Sequence, residues 1–322
     1  MQIRVSTKSD PANQGFRRAA LAEQADTSRA ELRRDSVYIL YLHNPDLMTD
    51  LDDALEGIND LYQQGFFEEF GLSNFPAWQI MQIFMKCKEK GFPLPKVYQG
   101  AYNALTRQVE SEILPCCRML GMRFNAYSPF AAGLLQQPWA DGSLSELRGE
   151  ERGRYYGSGS RLSTWVGAKD EGSLADALVR VDTACRDAVR SPTEAVFDGL
   201  RAQVLVCVRA ARSPRRPLGG GSFTRGMWLL PGLPVFLACL FSFSAECLCD
   251  LGPYASRYVA GDGVIMGAAT LDQLQENIDC VTAADAAGPL PPSVLEALDD
   301  AWEGLTGPPE YPGMGWMPAA RL

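Results

Sequence analysis

Between residues 36 and 127, short runs rich in β-branched, aromatic and other apolar residues alternate with helical patterns. Successive strand-like runs begin roughly 25 to 30 residues apart, which is typical of repeated βα units. In such units neighbouring strands run parallel and the helices cover the sheet. The chain is therefore expected to form an α/β fold. The predicted strands are 37–42, 66–72, 96–99 and 122–127.

The segments between these strands show the spacing of amphipathic helices. In the first segment apolar residues recur every three or four positions, and Gly65 is placed to end the helix. The second helix is expected over 77–90, with Gly91 as its terminator, and the third over 107–120. The apolar residues of the first helix are Leu51, Ala54, Leu55, Ile58, Leu61 and Tyr62.

Polar or aromatic residues stand at the carboxyl ends of the predicted strands. They are His43, Ser73, Asn74, Gln99 and Tyr127. In a closed barrel these ends share one mouth, where barrel enzymes carry their chemistry, and a histidine there can donate to a substrate oxygen. Ser73 and Asn74 can instead cap the following helix. Gln99 can satisfy a loop, Tyr127 can pack at the rim, and His43 can bond nearby backbone.

Length, charge and cysteine spacing exclude several classes of protein. The 322 residues, 46% of them hydrophobic, suffice for one large barrel or doubly wound domain. A net charge of -9 argues against a general nucleic-acid binder, and the basic stretch 209–216 is only local. The nine cysteines lack the paired spacing of zinc sites, so no metal site is predicted. Reduced thiols and the lack of a visible secretory signal favour a cytoplasmic protein.

Six stretches, taken in this order and spacing, resemble the aldo-keto reductases, and among them the aflatoxin aldehyde reductase branch. That family folds as a (β/α)8 (TIM) barrel and uses NADPH. The resemblance covers residues 1–165 and 262–306, approximately. The stretches are 5–8 (VSTK), 41–43 (YLH), 71–75 (GLSNF), 97–103 (VYQGAYN), 126–135 (AYSPFAAGLL) and 265–277 (IMGAATLDQLQEN).

The resemblance implies catalytic roles for Lys8 and His43, which match two members of the family's catalytic tetrad. In that family a tyrosine protonates the carbonyl oxygen as hydride arrives from the nicotinamide, and the lysine, paired with an aspartate, lowers the pKa of this tyrosine. The histidine orients and polarises the carbonyl. The tetrad tyrosine and aspartate precede the third strand of the family, where the resemblance begins, and are expected to be absent.

The same resemblance implies a binding site for NADPH. Ser73, Asn74 and Gln99 match positions that hydrogen-bond the nicotinamide carboxamide. Tyr127 matches the aromatic residue on which the nicotinamide ring stacks. A loop over the pyrophosphate and the start of the last helix, whose unpaired N–H groups suit a phosphate, complete the site. The residues implied there are Ser128, Pro129, Gly133, Leu134, Arg154, Gly267, Ala268, Gln273 and Asn277.

An ordinary solvated helix face is the alternative for the two residues of the last helix, Gln273 and Asn277. The cofactor role is favoured for them because the run 265–267 precedes them in the register of the family.

Two departures from the family pattern shape the expected fold. The resemblance starts at the third family strand, so an incomplete barrel without its first two strands is expected, with unpaired parallel edges at 3–7 and 264–267. Residues 199–260 form an anomalous insertion before the last strand. The expected domains are a barrel formed by 1–198 and 261–306, the insertion 199–260 and a C-terminal tail, 307–322.

The insertion contains an apolar run over 228–248 that is long enough to cross a bilayer. Pro231 and Pro234 interrupt its first half and Glu246 its end, and a span between two barrel strands conflicts with the fold. A poorly packed insertion or a gene-model artefact is therefore the favoured interpretation, and no membrane partner is expected.

Three functional hypotheses stay open at the level of sequence. The first is NADPH-dependent reduction of a small aldehyde or ketone to an alcohol, with activity lost if the tetrad tyrosine and aspartate are missing. The second is a non-catalytic, NADPH-binding regulatory subunit of the same fold. The third is a nonfunctional truncated gene product. Exposed sheet edges favour a homo-oligomer, and no nucleic-acid partner is expected.

Overall fold

The computed structural model describes residues 5–12, 15–136, 139, 171–188, 203–209, 236–240, 261–268, 275, 277–279 and 290–305. For 203–209 and 236–240 it describes the backbone alone. The expected C-terminal tail, 307–322, lies outside the described residues, as does most of the expected insertion.

One curled sheet organises the described residues. Its strands are β1 (Ser6–Ser9), β2 (Val37–Leu42), β3 (Phe67–Ser73), β4 (Pro95–Ala101), β5 (Arg123–Tyr127), β6 (Gln203–Arg209), β7 (Phe236–Leu240) and β8 (Gly263–Ala268). The order is β1-β2-β3-β4-β5-β8-β6-β7, with parallel pairing throughout except between β6 and β7. Because β7 also contacts β1, the two ends of the sheet approach each other. The α/β class and the parallel sheet are confirmed.

Helices follow most of the strands. Those with defined bounds are α1 (Arg18–Leu32), α2 (Leu51–Gln63), α3 (Ala77–Lys90), α4 (Ile113–Met119), α5 (Glu171–Asp187) and α6 (Pro292–Leu305). The carboxylate of Asp50 begins α2 by accepting the N–H of Asp52 at 2.8 Å. Gly65 and Gly91 adopt left-handed conformations just past α2 and α3, as predicted for helix terminators.

Helix α1 was not predicted, because its buried face consists mainly of small residues. Only Ala20, Leu21 and Ala25 are buried along its length. Such a face produces little of the three- and four-residue apolar periodicity on which a sequence-based prediction depends.

The strand side chains alternate between two layers. Leu40 and Leu42 belong to the large core between the sheet and its helices, where full burial of a leucine contributes about 1.5–3 kcal/mol. Ile39, Tyr41 and Val97 form a separate cluster on the opposite side of the sheet. That second, inner side is the one on which the polar strand-end residues collect.

The helix predicted over 107–120 is wrong in its first half. Residues Gln108–Glu110 form a 3-10 turn, and α4 begins only at Ile113. Pro115 accounts for the break, because proline lacks an N–H group and its ring clashes with the carbonyl four residues earlier, so it is tolerated only in a first helical turn.

The unpaired edge predicted at 264–267 is also wrong. Strand β8 pairs with β5 on one side and with β6 on the other, so that Val264 lies opposite both Ala126 and Val204. Segment 199–260, which was expected to be an anomalous insertion, therefore supplies two strands of the sheet. Pairing with β6 satisfies the backbone groups that an open parallel edge would leave exposed.

The apolar run 228–248 contributes β7, a five-residue strand. Within the described part of the chain, the model contains no helix whose length and apolarity would let it cross a membrane.

Candidate active site

Lys8 lies on β1 and points to the inner side of the sheet, where its register partner is Tyr41. Its ammonium donates a hydrogen bond to Ser73 Oγ at 3.0 Å. The same nitrogen lies 5.7 Å from the ring centroid of Tyr41 and 5.8 Å from that of Tyr127. Because aromatic faces carry partial negative charge, the two rings favour a cation at this position.

His43 follows β2 directly, and the neighbouring strands hold its backbone from both sides. Its N–H donates to the carbonyl of Ser9 at 2.9 Å. Its own carbonyl accepts a hydrogen bond from Asn74 Nδ2 at 3.0 Å. The ring nitrogen Nδ1 lies 2.7 Å from Oδ2 of Asp10. With about a third of each side chain exposed, the imidazole and the carboxylate border the solvent at the mouth.

The environment of Asp10 favours its ionised form. The hydrogen bond with His43 lowers the pKa of Asp10 below its ordinary value, and partial burial opposes this effect without cancelling it. The N–H of Ala12 donates to Asp10 Oδ1 at 2.9 Å and lowers the pKa further. The positive charge of Lys8 contributes a smaller effect in the same direction.

Asn74 ties the strand ends together through its side-chain amide. Its Nδ2 lies 3.0 Å from Asn44 Oδ1 and 3.2 Å from Ser73 Oγ, in addition to the carbonyl of His43. Its Oδ1 accepts a hydrogen bond from the hydroxyl of Tyr127 at 2.9 Å. The backbone of Asn74 has a φ of 64°, a left-handed conformation that asparagine tolerates better than most residues. The nitrogen and the oxygen of this amide are thus already hydrogen-bonded to neighbouring protein groups.

Gln99 and its register partner Ser73 differ in their hydrogen bonding. Ser73 is completely buried and accepts from Lys8 and Asn74. Gln99 is 8% exposed, and its side chain makes no hydrogen bond to any residue that the structure describes. A primary amide offers two donors and an acceptor, so it can pair with a ligand carboxamide such as that of nicotinamide. The donor set therefore fits a nicotinamide cofactor.

The side chain of Tyr41 packs tightly beneath these groups. Tyr41 is 2% exposed, and its hydroxyl accepts a hydrogen bond from Asn125 Nδ2 at 3.0 Å. A Cβ atom on Gly71 would lie 2.5 Å from the Tyr41 ring, so only glycine leaves room for this ring. Tyr41 is therefore a packed residue one layer below His43, and its position does not suit a proton donor.

The loop after β5 runs along the same end of the sheet. Ser128 has a φ of 56°, and its carbonyl accepts a hydrogen bond from Asn103 Nδ2 at 2.9 Å. Pro129 precedes the turn Ala131–Gln136, in which Gly133 has a φ of 97°. Leu134 is buried, and its carbonyl accepts the indole N–H of Trp139 at 2.7 Å. The predicted pyrophosphate loop is thus ordered by contacts on both sides.

The remaining predicted cofactor residues are only partly described. Gly267 and Ala268 end β8, next to β5 in the sheet order, and Gly267 is exposed. Asn277 is 3% exposed, so the alternative of a solvated helix face is wrong for this residue. Arg154 and Gln273 lie outside the described residues.

Sequence reasoning missed Asp10, Asn44 and Asn125 as members of this constellation. A signal for Asp10 was present, because it stands two residues after Lys8 and residues two apart share a face of a strand. No comparable signal marked Asn125, whose importance depends on its contact with Tyr41 across the sheet.

Thiol and metal chemistry is not indicated in the described part of the chain. No group of three or more potential ligands there could hold a metal ion. Burial raises the pKa of Cys87 and of Cys117 to about 12, so these thiols are protonated and unreactive at neutral pH.

Comparisons with known proteins identify the family. The model of the aldo/keto reductase family matches residues 1–150. Aldo-keto reductase family 7 member A3 of Homo sapiens is 31% identical over 307 residues, which are 95% of this chain and 76% of that protein. Aflatoxin B1 aldehyde reductase member 2 of Mus musculus is 31% identical over 303 residues, 93% of this chain and 68% of that protein. The chain belongs to the aldo/keto reductase family.

Other relatives match shorter parts of this aldo/keto reductase. Oxidoreductase sirO of Leptosphaeria maculans is 42% identical over 121 residues, which are 38% of this chain. The longer alignments cover 95% and 93% of this reductase, more than the two blocks predicted from the motifs, so the aligned range crosses segment 199–260.

Proposed function

We propose that this aldo/keto reductase reduces small aldehydes or ketones to alcohols, with NADPH as the cofactor. The observation that carries the proposal is the convergence at one mouth of a half-buried cation, Lys8, a carboxylate-bound imidazole, His43, and the unengaged amide of Gln99. Hydride transfer is the chemistry that a bound nicotinamide supplies. The protein then has to polarise the carbonyl oxygen and provide a proton.

In the proposed complex Gln99 binds the nicotinamide carboxamide and the ring of Tyr127 stacks on the nicotinamide. Ser73 and Asn74, which match the same subsite in the family, mainly hold Lys8 and Tyr127 in place, because their polar atoms already have protein partners. The other proposed cofactor residues serve the pyrophosphate or the adenosine end. They are Ser128, Pro129, Gly133, Leu134, Arg154, Gly267, Ala268, Gln273 and Asn277.

Lys8 and His43 are the proposed catalytic residues. An ammonium and an imidazole beside the same opening stabilise the negative charge that develops on a carbonyl oxygen during reduction. Their positions are set by protein contacts that do not involve a ligand, so both groups are in place before the substrate arrives.

A second candidate function is cofactor binding without turnover, as in a regulatory subunit. One observation favours it: the two tyrosine rings beside Lys8 belong to side chains whose hydroxyls are hydrogen-bonded to the amides of Asn74 and Asn125. The Tyr127 hydroxyl already donates its proton to Asn74 Oδ1, and Tyr41 is only 2% exposed, so neither phenol is well placed to give a proton to a substrate.

The test is a fluorescence titration of the purified chain with NADPH, and separately with NADH, followed by addition of 4-nitrobenzaldehyde. We expect saturable binding that is tighter for NADPH, followed by oxidation of the cofactor. In His43→Ala we expect unchanged NADPH binding and a loss of kcat of at least about 100-fold. Binding without oxidation in the wild type would contradict the reductase proposal and support the regulatory one. No binding would contradict both.

A cytoplasmic location is part of the same proposal. It is supported by the free, buried state of the four cysteines whose side chains the structure describes, Cys87, Cys116, Cys117 and Cys185.

A further inference from the structure

The structure assigns a positioning role to Asp10. We propose that Asp10 holds the imidazole of His43 in the form protonated at Nδ1, so that Nε2 is the nitrogen that exchanges a proton with the substrate oxygen. This inference rests on the proposed function for its substrate, but the state of the imidazole can be measured without one.

Asp10 contacts the imidazole of His43 directly. Asp10 Oδ2 lies 2.7 Å from His43 Nδ1, which is within the range of a charge-assisted hydrogen bond. An ionised carboxylate only accepts hydrogen bonds, so Nδ1 must carry the proton that joins the two groups. The lowered pKa of Asp10 is consistent with a carboxylate that stays ionised through neutral pH.

Asp10 is itself held in place by hydrogen bonds. Its Oδ1 accepts the N–H of Ala12 at 2.9 Å, and its own N–H donates to Gln24 Oε1 at 2.8 Å. With Oδ1 and the backbone both engaged, Oδ2 is directed at the imidazole. A carboxylate held at several points orients its partner better than a mobile one, because less freedom is lost when the hydrogen bond forms.

The other ring nitrogen of His43 differs from Nδ1 in its surroundings. Nε2 of His43 makes no hydrogen bond with the residues that the structure describes, and 36% of the side chain is exposed. The backbone of His43 is fixed by Ser9 and Asn74 and its Nδ1 is bonded to Asp10, so the residue is held at both ends. Nε2 is thus the nitrogen left for a substrate.

The other charged and titratable groups near the imidazole have different partners. Lys8 on β1 is a cation and supplies no acceptor, and Tyr41 and Tyr127 have hydroxyls bonded to amides. Asp46, in the loop after β2, directs its carboxylate to Thr49 and to the N–H groups of Phe16 and Met48. Among these groups only Asp10 bonds the ring.

The proton balance follows from this arrangement. Reduction of the carbonyl needs one hydride, which the reduced nicotinamide supplies, and one proton. The Nε2–H bond of the protonated imidazole breaks as the O–H bond of the alcohol forms, and the neutral ring keeps its Nδ1–H bond to Asp10. Water returns a proton to Nε2 before the next turnover.

Because His43 is the only histidine, its two ring nitrogens can be observed directly by nitrogen-15 NMR of the ligand-free protein. At a pH where the ring is neutral, we expect the wild type to be protonated at Nδ1. In Asp10→Asn, Oδ1 can keep the hydrogen bond from Ala12 while the amide N–H faces the ring, so the proton should move to Nε2. Asp10→Ala leaves neither a carboxylate acceptor nor an amide donor beside Nδ1. It should also shift the ring towards the form protonated at Nε2.

The matched control is Asp50→Asn. It removes a carboxylate from the loop after β2 but keeps a good helix N-cap, so it should leave the ring protonated at Nδ1. A wild-type ring protonated at Nε2, or an unchanged ring in both Asp10 variants, would overturn the proposal.

Kinetics provides the second readout. For carbonyl reduction we expect Asp10→Asn to lower kcat at least about 10-fold, with little change in the KM of the carbonyl or the Kd of NADPH. An unchanged kcat would overturn the catalytic part of the inference. A wild type that shows the Nδ1–H form but reduces no carbonyl would contradict the proposed function while supporting the action of Asp10 on the ring.

Discussion

The ammonium of Lys8 donates to Ser73 Oγ at 3.0 Å, although Lys8 and Ser73 lie on strands β1 and β3 and the whole of β2 stands between them. The contact is possible because the sheet curls, so that side chains on its inner side converge across an intervening strand. The intervening position on β2, Tyr41, contributes the face of its ring to the same cation. The curvature of the sheet therefore assembles the cationic part of the site.

Replacing Lys8 by methionine should remove catalysis while keeping the fold. Methionine preserves much of the apolar stem but offers neither the charge nor the hydrogen bond to Ser73. We expect a loss of kcat of at least about 100-fold for 4-nitrobenzaldehyde, because electrostatic stabilisation of the developing oxyanion is lost. Lys88→Met, at an exposed position of α3, is the control and should retain wild-type kcat. Equal activity in the two variants would contradict a catalytic role for Lys8.

Gln99→Leu tests the proposed carboxamide contact. Leucine has a similar size but no hydrogen-bonding group, so the cofactor loses its partner in a nearly buried position. We expect the Kd of NADPH to rise about 10-fold, which corresponds to roughly 1.4 kcal/mol. Gln82→Leu, on the exposed side of α3, should leave the Kd unchanged. Fluorescence titration measures both, and an unaltered Kd in Gln99→Leu would refute the contact.

Gly71→Ala tests the packing beneath the site. The added methyl would lie 2.5 and 2.6 Å from two carbons of the Tyr41 ring and 3.0 Å from Val97 Cγ1. The ring must move, so we expect a loss of about 1–3 kcal/mol in the free energy of unfolding measured with urea.

The control for this substitution is Gly304→Ala. A methyl at Gly304 meets no atom within 4 Å, and the residue lies in α6. Alanine should be neutral there or stabilise the protein by up to about 1 kcal/mol. If both variants were equally stable, the tight fit of Tyr41 against Gly71 would be disproved.

The stability of the protein should depend on Asp10 in acid. Because the folded protein lowers the pKa of Asp10, mainly through the hydrogen bond with His43, its stabilisation is fully present above the ordinary value of 3.8. It is lost as the pH falls below that value through the folded-state pKa. The difference in unfolding free energy between wild type and Asp10→Asn should therefore be larger near about pH 5 than near about pH 2.5.

Urea unfolding at several pH values measures this difference. Asp26→Asn removes an exposed carboxylate from α1 and is the control for general charge effects. The same pH dependence in both variants would show that Asp10 has no particular role in acid stability.

Local patterns were sufficient to predict the βα repeats. The periodicity of α2 and α3, the glycines that end them, and the polar residues at the strand ends are all properties of short segments. The predicted helix 107–120 includes Pro115 without a break, whereas in the structure a 3-10 turn precedes α4 and Pro115 lies in its first turn. Helix α1 was missed because a face of small residues gives little apolar periodicity.

The motifs also identified the family and placed Lys8, His43, Ser73, Asn74, Gln99 and Tyr127 at one end of the sheet. They could not assign the hydrogen bonds among these residues. In the structure Asn74 is engaged by protein groups and Gln99 is not, although the two amides had been given the same role. The distinction depends on the left-handed turn at Asn74 and on which strands lie beside it.

The sequence by itself determined the α/β class, the parallel order of the early strands and the residue types at the mouth, because these follow from local periodicity and from spacing along the chain. Only the tertiary structure decided that β6 pairs with β8, that Lys8 reaches Ser73, and that Asp10 bonds His43. Each of these contacts joins residues at least 33 positions apart in the chain. They form only when strand curvature and pairing bring the segments together, and no short stretch of sequence carries that information.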